Sequence, residues 1–222
     1  MPPSTIPQWI ESVDSEQALF RGRSYVAVKR LMDISLALLA APFIFPVLLI
    51  IAFIIKLESP DGPALYSQLR TGKGGNLFRL YKFRTMVPDA EQLKEKYMHL
   101  NELQWPDFKI KNDPRITKIG AVLRKTSLDE LPQLINVLKG DMSLVGPRPT
   151  DFGTDQYKVW HTERLDVPPG ITGIWQITAR GESEFDDRLR LDILYINKRC
   201  IWLDILIIFY TIPVVANRKG AF

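Results

Sequence analysis

Cysteine and histidine are nearly absent from the sequence. Its 222 residues include one cysteine, Cys200, and two histidines, His99 and His161. A single cysteine excludes an internal disulfide and a cysteine-based zinc site, and two histidines argue against a Ser-His-Asp triad or a histidine-rich metal centre. Any bound metal is therefore expected to be a hard, oxygen-ligated cation, with Mg²⁺ as the first candidate.

A compact run of lysine or arginine is also missing. The 29 basic and 25 acidic residues leave a formal net charge of +4, and the sequence pI is about 9.1. This modest excess suits acidic small molecules or an anionic membrane surface as well as nucleic acid. Because no segment concentrates the charge, we expect no nucleic-acid partner. The length is enough for one medium domain with appendages.

One long apolar run stands out against this background. No residue from position 34 to position 55 is charged, a length that suits a bilayer span of about 20 residues. Pro42 and Pro46 interrupt the run, and each removes a backbone donor and favours a kink. Basic residues flank both ends, which favours keeping both on the cytoplasmic face. These features predict a re-entrant helix over 29–57 that is broken near the two prolines, although a kinked transmembrane helix fits equally well.

The remaining segments predict a helix-rich α+β fold. Residues 1–28 are expected to form a mobile arm or a short surface helix. Residues 58–222 are expected to form a catalytic domain on the cytosolic face, beginning with a β-hairpin around a glycine-rich turn at 72–76. Helices are predicted over 88–104, 154–166, 184–199 and about 201–213, and a short strand over 174–178.

The last of these helices is very apolar and short for a membrane span. We expect it to lie in the membrane interface, with Trp202 and Tyr210 as anchors. The alternative is a buried core helix. His161, in the helix predicted over 154–166, is expected to be a surface residue.

Acidic and basic residues alternate along residues 123–149. Asp129 and Glu130 are adjacent, Arg124 lies five residues before Asp129, and a Gly146-Pro147-Arg148-Pro149 turn ends the stretch. Such a mixture suits a site that holds a divalent cation together with phosphates, because each charge needs its opposite close by.

A purely structural interpretation of this stretch is a helix N-terminus. Ser127 and Glu130 have the spacing of a capping box, and acidic residues in a first turn favour the helix dipole. Pro132 belongs within a first turn, which favours a helix start nearer Asp129 than Ser127. Either way, both carboxylates are expected at a helix entrance.

Several segments in order resemble the monotopic phosphoglycosyl transferases, also called bacterial sugar transferases. The resemblance runs from about Lys29 to the C-terminus and rests on KR-x-x-D, YKFRTM, SLDELPQLINVLKGDMSLVGPRP, PGITGIWQITARG and LDILYI. Each segment alone is a weak signal, whereas all of them in order are a strong one.

The resemblance implies transfer of a sugar-1-phosphate from a UDP-sugar, such as UDP-glucose or UDP-galactose, to polyprenol (undecaprenyl) phosphate with release of UMP. This is the first membrane step of exopolysaccharide, O-antigen or glycoconjugate synthesis. It further implies that Asp129 attacks to form an aspartyl-phosphosugar intermediate and that Glu130 binds Mg²⁺. The positions expected to bind substrate phosphates are Lys82, Arg124, Pro147, Arg148 and Arg180.

The same resemblance places the protein in one leaflet of the bilayer, at the cytoplasmic face of the bacterial inner membrane. The family's membrane helix usually breaks at Ser-Pro, whereas this chain has Phe45-Pro46 and an additional Pro42. The chain looks like the minimal catalytic unit, and an oligomer is left open. The alternatives are a non-catalytic membrane scaffold, or a membrane-bound phosphatase or nucleotidyltransferase.

Overall fold

One long helix organises the fold. The computed structural model describes residues 6–102, 110–150, 157–178 and 185–217. Within these residues helix α2, Gly22–Glu58, is the one helix long and apolar enough to cross a membrane. The helix is continuous through Pro42 and Pro46, so the predicted break is not a gap in secondary structure. The path of α2 relative to a bilayer stays a prediction.

Both halves of α2 pack against the rest of the chain. Tyr25, Asp33 and Ala37 are buried in its first half, and Ile51 and Ile55 in its second. Large apolar residues between them are exposed, among them Leu39, Phe43, Phe45 and Leu49. The helix is therefore held at two places and leaves an apolar middle uncovered.

The predicted hairpin is confirmed and is slightly longer than expected. Strands β1, Leu65–Thr71, and β2, Leu77–Phe83, pair antiparallel from Leu65 opposite Phe83 to Thr71 opposite Leu77. Gly74 adopts a φ of 64° in the connecting turn, where a residue with a side chain would be strained.

A second sheet contains two short parallel strands, β3, Ser143–Val145, and β4, Gly170–Thr172. The strand predicted over 174–178 is wrong, because Ile174–Thr178 forms helix α6. In α6 the Thr178 hydroxyl donates a hydrogen bond to the Ile174 carbonyl at 2.9 Å. Such a bond between side chain and backbone competes with the strand pairing that β-branched residues otherwise favour. The sheet brings backbones very close: a Cβ on Gly170 would lie 2.1 Å from the Gly146 nitrogen.

The C-terminal helices form the main core with the N-terminal arm. Helices α7, Phe185–Lys198, and α8, Ile201–Ala216, match the predicted positions. Helix α8 buries Leu203 and Ile207 in the core yet leaves Trp202 60% exposed. Its position in the membrane interface stays a prediction. The described part of the arm is packed, since Ile10 in helix α1, Gln8–Glu11, is fully buried.

The middle of the chain is less helical than predicted. Within 88–102, the part of this predicted helix that the structure describes, the helical segments are α3, Leu93–Lys96, and a 3-10 turn, Met98–Leu100. Neither buries a residue, and short helices need such packing to persist. Within 154–166 a 3-10 helix covers Val159–Asp166, and residues 154–156 lie outside the described residues.

His161 contradicts its predicted surface position. It is only 3% exposed and lies among the rings of Tyr157, Trp160 and Phe185. Burial lowers the pKa of its imidazole, although Asp186 opposes that shift. An aromatic neighbourhood of this kind forms only in the folded chain and is not visible in the local pattern.

Candidate active site

The two acids lie in a turn between two helices. Helix α4, Lys118–Thr126, ends at Ser127, whose φ of 58° is left-handed. A 3-10 turn, Leu128–Glu130, follows, and helix α5, Gln133–Lys139, begins only after Pro132. The predicted capping box is therefore wrong, because Ser127 ends one helix and does not open the next. The carboxylates stand near the entrance of α5, as expected.

Glu130 is held by two cations. Arg148 donates to both carboxylate oxygens, with Nη1 3.1 Å from Oε2 and Nη2 on Oε1. Lys82 on β2 donates to Oε1 from 3.3 Å. Burial disfavours the charged form of Glu130, but Arg148 and Lys82 outweigh it and hold the pKa of this carboxyl well below its usual range. Glu130 is therefore a fixed negative charge at physiological pH.

Asp129 is in a different state although it is the adjacent residue. It is 9% exposed, and no residue in the described part of the chain donates a hydrogen bond to its carboxylate. Burial and repulsion from Glu130 raise its pKa, against the attraction of Lys82, Arg148 and Arg124. Two neighbouring carboxylates thus differ in how firmly they are held.

Arg124 and Pro147 also lie at this site. Arg124 extends from α4, donates its Nε–H to the Thr85 hydroxyl at 2.9 Å and attracts Asp129 electrostatically. Pro147 and Arg148 line a small adjacent cavity together with Thr71 and Tyr157. The structure thus brings together Lys82, Arg124, Pro147 and Arg148 around the acids, and the predicted Arg180 lies outside the described residues.

Arg70 is a basic residue of the site that the sequence analysis did not select. It lies on β1, donates to Gln68 Oε1 at 2.8 Å, and is close enough to Arg148 to repel it. Burial and this repulsion lower the pKa of Arg70 to about 10. The hairpin register places Arg70 opposite Phe78, and therefore on the same face as Lys82. The strand register, counted outward from the turn, is the feature of the sequence that could have identified Arg70 as a site residue.

Two basic side chains on one face of the hairpin, Lys82 and Arg84, point toward the protein and not toward solvent. Lys82 contacts Glu130, and Arg84 is 8% exposed and donates to the carbonyls of Ser59, at 2.5 Å, and Asp61. Arg84 therefore stabilises the segment that follows α2, and these hydrogen bonds explain why its guanidinium is buried.

The oxygen donors of the site fit a hard cation such as Mg²⁺. In the described ranges no group of three or more histidine, cysteine, aspartate or glutamate side chains could hold a metal ion. Mg²⁺ is commonly bound by one or two carboxylates, with water and substrate phosphates completing its shell. The less engaged Oε2 of Glu130 is the atom that fits this role.

Two carboxylates within a cluster of cations, beside a long apolar helix, define a class of proteins suited to phosphate-bearing ligands. The chain belongs to the bacterial sugar transferase family, whose sequence profile matches residues 24–218. The resemblance drawn from the sequence segments is thereby confirmed.

Individual relatives have names consistent with this family. The galactosyl transferase CpsE of Streptococcus agalactiae is 44% identical over 95% of this chain and 47% of its own length. The exopolysaccharide production protein ExoY of Rhizobium meliloti is 37% identical over 87% of this chain and 88% of its own. The UDP-glucose:undecaprenyl-phosphate glucose-1-phosphate transferase of Caulobacter vibrioides is 39% identical over 87% and 72%. The chain thus spans about half the length of the first of these relatives.

Proposed function

We propose that this protein is a phosphoglycosyl transferase that moves a sugar-1-phosphate from a UDP-sugar to undecaprenyl phosphate and releases UMP. The observation that carries the proposal is the Asp129–Glu130 pair set among Lys82, Arg124 and Arg148. The name of the Caulobacter relative describes this type of reaction and supports it.

The reaction has two displacement steps at the phosphorus next to the sugar. In the first, an oxygen of Asp129 attacks this phosphorus, and the bond to the UMP oxygen breaks with its electron pair leaving on UMP. In the second, a phosphate oxygen of undecaprenyl phosphate attacks the same phosphorus. The bond to Asp129 then breaks, which frees the carboxylate and leaves a lipid-linked diphosphosugar.

The contacts of the two acids support giving the attack to Asp129. The oxygens of Glu130 accept three hydrogen bonds from Arg148 and Lys82, which reduces the electron density available for attack. Asp129 receives none from a described residue, and its raised pKa indicates a more basic carboxylate. The sequence resemblance implied this division of roles, and the geometry now supplies a physical reason for it.

The cations make attack by an anion on an anion feasible. Lys82, Arg124 and Arg148 surround the acids, and Arg70 is close to Lys82 and Arg148, so the diphosphate would meet fixed positive charges without reorganisation. Arg148 is already oriented by Glu130, which holds its guanidinium plane in place. Mg²⁺ held by Glu130 would neutralise charge on the diphosphate.

The packing of α2 supports the re-entrant path included in this proposal. Ala37 clusters with Leu80, and Ile55 clusters with Phe83. Leu80 and Phe83 are about 10 Å apart along a strand, whereas a straight helix would separate Ala37 from Ile55 by about 27 Å. A bent helix reaches both clusters more easily than a straight one.

Pro42 and Pro46 mark the place where we expect the bend. They lie between Ala37 and Ile55, and proline is the usual cause of a sharp helix kink. Phe43 and Phe45, 79% and 60% exposed, lie at the same position along the helix. We place this apolar tip in one leaflet, with the catalytic domain on the cytoplasmic face of the inner membrane.

The test is direct transfer with purified protein. Labelled UDP-glucose, UDP-galactose and related donors are incubated with undecaprenyl phosphate and Mg²⁺, and labelled lipid and UMP are measured. We expect a hexose donor to be used, because relatives are named for galactose and glucose. Asp129→Asn should abolish both products while the protein still folds and enters membranes.

Three outcomes would contradict the proposal. Absence of labelled lipid with every donor would favour a non-catalytic scaffold. Release of free sugar phosphate or pyrophosphate without lipid product would favour a phosphatase or nucleotidyltransferase. Undiminished turnover by Asp129→Asn would refute the assignment of the nucleophile.

A further inference from the structure

A buried ion pair lies behind the loop that carries Arg148. Arg164, in the 3-10 helix Val159–Asp166, contacts Asp192 of α7 with Nη2 2.7 Å from Oδ2. The two side chains are 5% and 2% exposed. The same Arg164 nitrogen donates a second hydrogen bond to the backbone carbonyl of Arg148. Asp192 belongs to the LDILYI segment, for which the proposed reaction has no role.

We propose that Arg164 and Asp192 are positioning residues that set the orientation of Arg148 toward Glu130 and the substrate phosphates. The inference rests on the proposed function to the extent that Arg148 binds phosphate. The connection is continuous: Asp192 orients Arg164, Arg164 fixes the Arg148 carbonyl, and the Arg148 side chain contacts Glu130.

The local backbone makes such an anchor effective. Arg148 lies between Pro147 and Pro149, whose rings fix their own φ angles and restrict the residue before each. Gly146, one residue earlier, is held against β4 by the hydrogen bond from its N–H to the Thr172 carbonyl at 2.9 Å. With these restraints, fixing the Arg148 carbonyl removes much of the remaining freedom of the peptide from which its side chain extends.

Stability alone does not account for this pair. Replacing a buried ion pair by apolar residues of similar volume is often neutral or stabilising, whereas removing one partner is strongly destabilising. Arg164 therefore gives the fold a specific bond to the Arg148 carbonyl that an apolar pair cannot supply. An apolar pair would therefore preserve a purely structural role but not a positioning role.

The test variant is the double substitution Arg164→Met with Asp192→Leu in the full chain. It removes both charges together, so we expect its melting temperature to stay close to that of the unsubstituted protein. Its kcat/KM for the UDP-sugar should fall about 10- to 100-fold, as when supporting residues of a site are lost. A melting temperature close to that of the unsubstituted protein together with a reduced kcat/KM is the signature of positioning.

A second measurement does not depend on turnover. In protein labelled with ¹⁵N-arginine, the Arg148 Nε–H signal is assigned by its loss in Arg148→Lys. We expect its hydrogen exchange to be at least about tenfold faster in the double variant, since restrained groups open less often. The matched control replaces a second buried pair, Asp113→Leu with Arg115→Met, which should leave the Arg148 signal unchanged.

The outcomes separate the two proposals. A stable double variant with unchanged Arg148 exchange and unchanged kcat/KM would overturn the positioning role and leave the proposed function standing. An unsubstituted protein without transfer activity would overturn the function, while the exchange rate would still decide the positioning role. If the double variant does not fold, Asp192→Asn removes the charge that orients Arg164 with little change of shape, and Arg148 exchange as slow as in the unsubstituted protein would count against the proposal.

Discussion

The carboxylate of Asp33 accepts a hydrogen bond from the backbone N–H of Leu144 at 3.2 Å. Asp33 lies in α2 and is 2% exposed, and Leu144 is the middle residue of β3. Its neighbours in β3 pair with β4, so the Leu144 N–H points to the opposite edge of the sheet. A side chain of the long apolar helix thus closes the edge of the strand that leads into the Arg148 loop.

Removing this carboxylate should destabilise the domain. Asp33→Leu leaves the Leu144 N–H without its acceptor, which we expect to lower the free energy of unfolding by about 1–3 kcal/mol. Asp33→Asn retains an oxygen at the same place and should lose less. Urea denaturation of both variants in one detergent gives the comparison, and a leucine variant as stable as the asparagine variant would contradict it.

The Arg148–Glu130 contact yields a second prediction. Arg148→Lys keeps the positive charge but cannot bridge both oxygens of Glu130, because an ammonium lacks the planar fork. We expect kcat/KM to fall about 10²–10³-fold in Arg148→Met, as for loss of one donor to a developing anion, and by less in Arg148→Lys. Steady-state rates with the preferred donor provide the measurement. Equal losses in both variants would show that charge alone is insufficient.

Local signals were enough to predict that Asp129 and Glu130 stand at a helix entrance among basic residues, and to predict most of the hairpin. Asp129, Glu130 and Arg148 lie in a short stretch with an unusual charge pattern, and the turn at 72–76 has glycines where left-handed backbone is needed. Such features depend on neighbours within a few residues. They were therefore readable before any tertiary contact was known.

The parts that were missed depend on contacts between distant segments. The capping box at Ser127 failed because Glu130 is drawn to Arg148 and Lys82, which lie far from it in sequence. The surface position predicted for His161 failed because Phe185 of α7 encloses its ring together with the neighbouring Tyr157 and Trp160. The local pattern does not reveal the contacts with Phe185, Arg148 or Lys82.

Arg70 supplies a third prediction, because it lies on the face of the hairpin that carries Lys82. Arg70→Gln should raise the KM for the UDP-sugar about tenfold, since one charge near the phosphates is lost. Arg79→Gln is a matched control, as Arg79 is exposed and lies on the opposite face of the same hairpin. Initial rates over a range of donor concentrations distinguish the two variants. Similar KM values in both would remove Arg70 from the site.

The protonation of Asp192 gives a pH-dependent prediction for stability. Burial raises the pKa of this carboxyl to about 6, although Arg164 from the 3-10 helix and Arg188 on α7 itself favour its charged form. Between the ordinary aspartate value and about pH 6, the folded protein therefore holds a proton that the unfolded chain has released. The stability contributed by this proton is fully present at about pH 4 and is lost as the pH rises through 6.

Asp192→Asn removes that titration. The stability of the unsubstituted protein relative to this variant should therefore increase by about 1–3 kcal/mol as the pH falls from 7 to 4.5. Urea denaturation at several pH values in the same detergent measures the difference. Asp89→Asn, at an exposed position, is the control for the general effect of removing a carboxylate. A constant difference across this range, or one that shrinks toward acid pH, would mean that Asp192 stays ionised in the folded protein and that Arg164 outweighs its burial.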